Sequence, residues 1–152
     1  MDINLATKRA LVCGSSQGIG RACAIELANL GASVTLFSRN QARLENVKSE
    51  LCCAQGQNHH ILIADFARPE QVNRVILDDV AANGGFDILI NDTGGPAPGP
   101  ANSADVSAFV DAFNLHLVTN HHLVQALIPA NSILTPHPKE FERWFGQFDS
   151  HF

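Results

Sequence analysis

Gly14-Ser15-Ser16-Gln17-Gly18-Ile19-Gly20 is the stretch on which the reading of this chain turns. Just before it, Lys8 to Cys13 is a short apolar run closed by glycine, the pattern of a buried strand. Just after it, Ile19, Ala22, Cys23, Ile25, Leu27 and Leu30 recur at helical spacing, and Gly31 stands where a helix needs a C-terminal stop. Ser33 to Phe37 then reads as a second strand. The glycines therefore occupy a strand-to-helix turn inside a strand–helix–strand unit.

The same alternation continues outward. A polar helix is expected from about residue 41 to residue 52, and Gln55-Gly56-Gln57-Asn58 reads as a loop. His60 to Ala64 is a third strand, and Pro69 suits the first turn of a helix reaching about Ala82. Asn83-Gly84-Gly85 ends that helix, and Asp87 to Ile90 is a fourth strand. Gly94 to Pro100 is a loop, followed by a long helix from about Asp105 to Leu127 that Pro129 terminates. Regular alternation of strand and helix implies parallel pairing with helices on both faces of one sheet. The expected fold is α/β, a Rossmann-like parallel sheet of about four strands over residues 1–129, with a divergent tail over 130–152.

Composition narrows the function classes. With 152 residues, 45% of them hydrophobic, the chain has the makeup of one globular domain. A net charge of −5 supplies no general attraction to nucleic acid or anionic membrane. No apolar run approaches the roughly 20 residues that span a bilayer. The start, Met1-Asp2-Ile3-Asn4, lacks the basic region of a secretory signal. Cys13, Cys23, Cys52 and Cys53 form no C-x-x-C pair, so a reduced, cytoplasmic protein is expected. The adjacent pairs His59-His60 and His121-His122 point their rings apart, and no metal site is expected.

Glycines at such a turn let backbone approach a pyrophosphate, while the following helix offers free N–H groups and the positive end of its dipole. A dinucleotide is the ligand this context implies. The spacing G-x-x-x-G-x-G resembles that of the short-chain dehydrogenase/reductase family. Three further stations are similar in order: Asp65-Phe66 at the end of the third strand, Asn91-Asp92-Thr93-Gly94 after the fourth, and the helix closing with Leu123-Val124-Gln125-Ala126-Leu127-Ile128-Pro129. The resemblance runs over about residues 5–129. It implies that Gly14, Ser15, Ser16, Gln17, Gly18, Ile19 and Gly20 hold the diphosphate side of the cofactor. Asp65 and Phe66 would meet the adenine, and Asn91, Thr93 and Gly94 would also bind the cofactor. An acidic residue ending the second strand would favour NAD by binding the ribose hydroxyl. This chain has Ser38-Arg39 there, a hydroxyl and a guanidinium suited to a 2′-phosphate, so NADP(H) is expected over NAD(H).

The resemblance also implies a tyrosine that protonates a carbonyl as hydride arrives, with a lysine four residues on that lowers its pKa. The 152 residues contain no tyrosine, and the only lysine after Lys48 is Lys139. In the long helix, the place of the family's asparagine falls at His116, with Asn114 two residues earlier, and the catalytic role is carried over to neither. No catalytic residue is assigned. In the tail, Phe141, Trp144, Phe145 and Phe148 are spaced as an amphipathic helix. It would pack on its own domain, over surface the family's remaining half buries, or dock on a partner. Three functions stay open. One is a truncated oxidoreductase that retains its cofactor site without turnover of its own. The second is a nucleotide-binding or interaction module, as a homo-oligomer or paired with an intact relative. The third is the inactive product of a disrupted gene.

Overall fold

The computed structural model describes residues 3–95, 99, 100, 102 and 104–127. The expected tail helix around Trp144 lies outside the described residues. Strands β1 (Arg9–Cys13), β2 (Ser33–Ser38), β3 (His60–Ile63) and β4 (Ile88–Ile90) form one parallel sheet in the order β3-β2-β1-β4. In register, Arg9 to Cys13 lie beside Ser33 to Phe37, and Ala10 to Val12 beside Ile88 to Ile90. The connecting helices are α1 (Gly18–Asn29), α2 (Gln41–Glu50) and α3 (Pro69–Asn83).

Period-two alternation along the strands feeds two cores. Ala10, Val12, Val34 and Leu36 point to one face, where Ala24 and Ala28 of α1 and Leu44 and Val47 of α2 cover them. Leu11, Cys13 and Phe37 point to the other, against Val72 and Ile76 of α3. Burial on both faces explains why these strands read as continuous apolar runs. Arg9 ties the start of β1 to the end of α3. Its guanidinium pairs with the buried Asp79 carboxylate at 2.9 Å, donates to the carbonyls of Asn83 and Gly85, and lies 4.2 Å over the Phe86 ring. Behind β2, the buried His59 Nδ1 accepts from Val34 N–H at 3.0 Å. Its Nε2 then carries the proton and meets the Cys52 carbonyl at 2.9 Å.

The long helix differs from expectation. It starts at Val106, with the Asp105 carboxylate accepting from Ser107 N–H at 2.9 Å, and it is not uniform. Helix α4 (Val106–Phe113) passes through one wide π-turn, Asn114–Val118, into α5 (Thr119–Leu127). Such a turn inserts one extra residue and shifts the faces on either side. Beyond it, Thr119 is buried and donates from Oγ1 to the Phe66 carbonyl at 2.7 Å, while Leu123 and Leu127 enter the second core. Helix α2 also stops earlier than expected, because Leu51 turns extended and buries its side chain.

Candidate functional site: the crevice at the strand ends

Strand order runs outward from β1 through β2 to β3 and then returns to place β4 on the other side of β1. That reversal opens a crevice beyond the C-terminal ends of β1 and β4, where open α/β sheets bind ligands. The crevice has a volume of about 660 Å³, within the usual range of ligand sites.

The glycine loop forms its floor. Gly14 has φ +64, and a β-carbon there would lie 1.7 Å from the Asp92 carbonyl oxygen. At Gly20 a β-carbon would press on the Cys13 and Gly14 carbonyl oxygens at 2.9 and 2.8 Å. The first position lets β4 close on the loop, and the other lets α1 pack on β1. Ser15 does not face the crevice. It is buried, and its Oγ accepts from Phe37 N–H at 2.9 Å, while Gly14 N–H donates to the Phe37 carbonyl at 2.9 Å. Those two bonds fasten the loop to the end of β2.

Arg21 N–H already reaches the Gln17 carbonyl at 3.3 Å, so Gly18, Ile19 and Gly20 carry the N–H groups ahead of the α1 ladder. Gly18 and Ile19 line the crevice. Gly20 N–H instead donates to the Asp92 carboxylate at 2.7 Å. Asp92 thus touches both ends of the loop, by its backbone at Gly14 and its side chain at Gly20. Burial, with the Asp92 carboxylate adding to it, pushes the Cys13 thiol well above its usual range, so that buried sulfur is unreactive.

At the end of β2, Ser38 and Arg39 line one wall. Beside them Asn40 caps α2, its Oδ1 accepting from Arg43 N–H at 3.0 Å. The Arg43 guanidinium donates to Gln17 Oε1 at 2.8 Å, bridging the loop and the cap. After β3, the Asp65 carboxylate accepts from Ala67 N–H at 3.1 Å. Phe66 is largely buried, its ring centroid 4.7 Å from that of Phe37, so it gives the crevice only a margin of its surface. Thr93 and Gly94 close the far wall with Gly95 and Leu115. Thr93 Oγ1 lies 3.3 Å from His116 Nδ1 in the π-turn.

Of the residues singled out in the sequence, Gly14, Ser16, Gln17, Gly18, Ile19, Ser38, Arg39, Asp65, Phe66, Thr93 and Gly94 meet in this crevice. Ser15, Gly20 and Asn91 lie outside its lining, the first two holding the loop from behind. Asn40, Arg43, Asp92, Gly95 and Leu115 line it without having been singled out. Asn40 and Arg43 did carry a signal, a cap residue with its partner three positions on. Leu115 carried none, because it is aimed by a π-turn whose position the sequence does not announce. Among the described residues, no three His, Cys, Asp or Glu side chains gather as a metal-holding group.

An open parallel sheet with a glycine loop at its central strand-to-helix turn, below a crevice at the switch point, defines a Rossmann-like fold. The profile of the family described as short chain dehydrogenase matches residues 8–133, and the chain belongs to that family. An uncharacterized oxidoreductase of Mycobacterium tuberculosis is 34% identical over 125 residues, covering 82% of this chain and 47% of that protein. L-sorbose reductase from Gluconobacter frateurii, solved with NADPH and L-sorbose, superposes with a TM-score of 0.76 at 30% identity, over 84% of this chain and 48% of that one. A short-chain dehydrogenase of Shigella flexneri, solved with NADP, gives a TM-score of 0.72 at 26% identity over 85% and 55%. The chain spans about half the length of the relatives it matches.

Proposed function

We propose that this chain is the NADP(H)-binding part of a short-chain dehydrogenase/reductase-type oxidoreductase, with no carbonyl turnover of its own. The observation that carries the reading is the shared crevice. Gly18 and Ile19 of the loop, Arg39 and Arg43, and the Asp65-Phe66 and Thr93-Gly94 segments all line one space. The group fits the residues present. Free N–H groups at a helix start suit a diphosphate, and the Arg39 guanidinium where an acid would select NAD suits a 2′-phosphate. Relatives solved with NADPH or NADP support the choice.

When bound, such a cofactor supplies hydride. The chain's own residues bind and orient it, but a carbonyl reduction also needs a proton donor, and these 152 residues offer no tyrosine for that role. Titration with NADPH and NADH tests the reading. NADPH is expected to bind more tightly, and Arg39→Ala to weaken NADPH by about tenfold or more while leaving NADH little changed. Equal affinity for both cofactors, unaltered by the substitution, would remove the NADP(H) assignment.

A second reading, a nucleotide-binding module that pairs with another chain, is favoured by α4. Val106, Phe109, Val110 and Phe113 on one side of it, with Leu117 in the π-turn beyond, are each more than half exposed.

A further inference from the structure

We propose that Asp92 sets the affinity of the crevice for dinucleotide, by acting as an internal anion at the start of α1. The inference rests on the crevice being a dinucleotide site. Of the three N–H groups ahead of the α1 ladder, Asp92 takes that of Gly20 at 2.7 Å, leaving Gly18 and Ile19 for a ligand. The carboxylate therefore neutralises part of the positive helix end that a diphosphate would use, and Asp92 is among the residues that line the same space. Repulsion between this fixed charge and the incoming phosphates weakens binding and favours release. The same carboxylate also staples the loop, because its charge-assisted bond holds Gly20 while its backbone abuts Gly14.

These two effects give opposite signs when the charge is removed and the acceptor kept. Asp92→Asn retains an oxygen for Gly20 N–H. It is expected to lower the melting temperature of the free protein, as a charged bond becomes a neutral one, and to tighten NADPH binding about three- to tenfold. A purely structural role would lower both stability and affinity.

The experiment measures melting temperature and the Kd for NADPH and for adenosine 2′-monophosphate in the full chain and in Asp92→Asn. Adenosine 2′-monophosphate carries the 2′-phosphate but no diphosphate, so its affinity is expected to stay unchanged. Lower stability with tighter NADPH and unchanged adenosine 2′-monophosphate is the expected pattern. NADPH binding that is unchanged or weaker in the variant, with adenosine 2′-monophosphate still bound by both proteins, would overturn the role of Asp92 and leave the site standing. Failure of both proteins to bind either ligand would overturn the site and this role together.

Discussion

Around Gly14 to Gly20 the polar groups are tied down from several sides. Ser15 is fixed to Phe37, Gly20 to Asp92, and Gln17 to Arg43, and the only apolar side chain left open at the loop is Ile19. Along α4 the reverse holds. Its capping bond is made at Asp105, yet none of its own residues is buried and an apolar stripe faces outward. The loop end is complete within the described residues, whereas α4 presents surface that an assembly or another segment would cover. Among the described residues, the crevice walls are thus held from several sides while the outer stripe of α4 stays uncovered.

The sharpest way to break the comparison is at Gly14. Gly14→Ala places a β-carbon onto the Asp92 carbonyl at a positive φ, and a loss of about 4 kcal/mol in stability is expected. Denaturant melts would show it, together with loss of NADPH binding; a wild-type melt would mean the loop is looser than described. Next in size is Arg9→Met, which leaves the Asp79 carboxylate buried without its partner and is expected to cost about 3 kcal/mol. Because Arg9 lies at the opposite ends of the strands from the crevice, NADPH affinity of the folded protein should not change. Calorimetric titration at low temperature checks this, and a parallel fall in affinity would show that the two ends are coupled.

On α4, Phe109→Ser combined with Phe113→Ser should change stability by less than about 1 kcal/mol, since neither side chain is buried. It should reduce self-association in sedimentation while leaving the NADPH Kd intact. Loss of binding instead would make α4 part of the site.

The smallest effect concerns acid. The Arg9 backbone N–H, and then Lys8, hold the Asp87 carboxyl below its usual range. A lowered folded-state value stabilises the protein above the unfolded value, and that contribution disappears as pH falls through the folded one. Asp87→Asn should therefore slightly lower stability at neutral pH and flatten the acid limb of the stability curve. The group is well exposed, so the change will be small.

What could be read from the sequence was local. The loop, its flanking strands and α1 to α3 follow from apolar period, glycine placement and Pro69, each a signal within a few residues of its effect. Arg39 at the end of β2 was readable for the same reason. The role of Asp92 was not, because its partner Gly20 is distant in sequence and meets it only once β4 lies beside β1. The π-turn was equally hidden. The extra residue shifts the helix face at this turn, and no residue in Asn114–Val118 announces where the shift falls, so Leu115 and His116 could not be aimed before the fold was known.

The central claim is that this half-length chain holds a working dinucleotide crevice at its loop end, independent of α4. Backbone amide NMR shifts during titration with NADPH test it most directly. The account predicts saturable shifts at Gly18, Ile19, Arg39 and Thr93, and none from Val106 to Phe113. Silence at Gly18 and Ile19 in a folded sample, or shifts confined to α4, would contradict it.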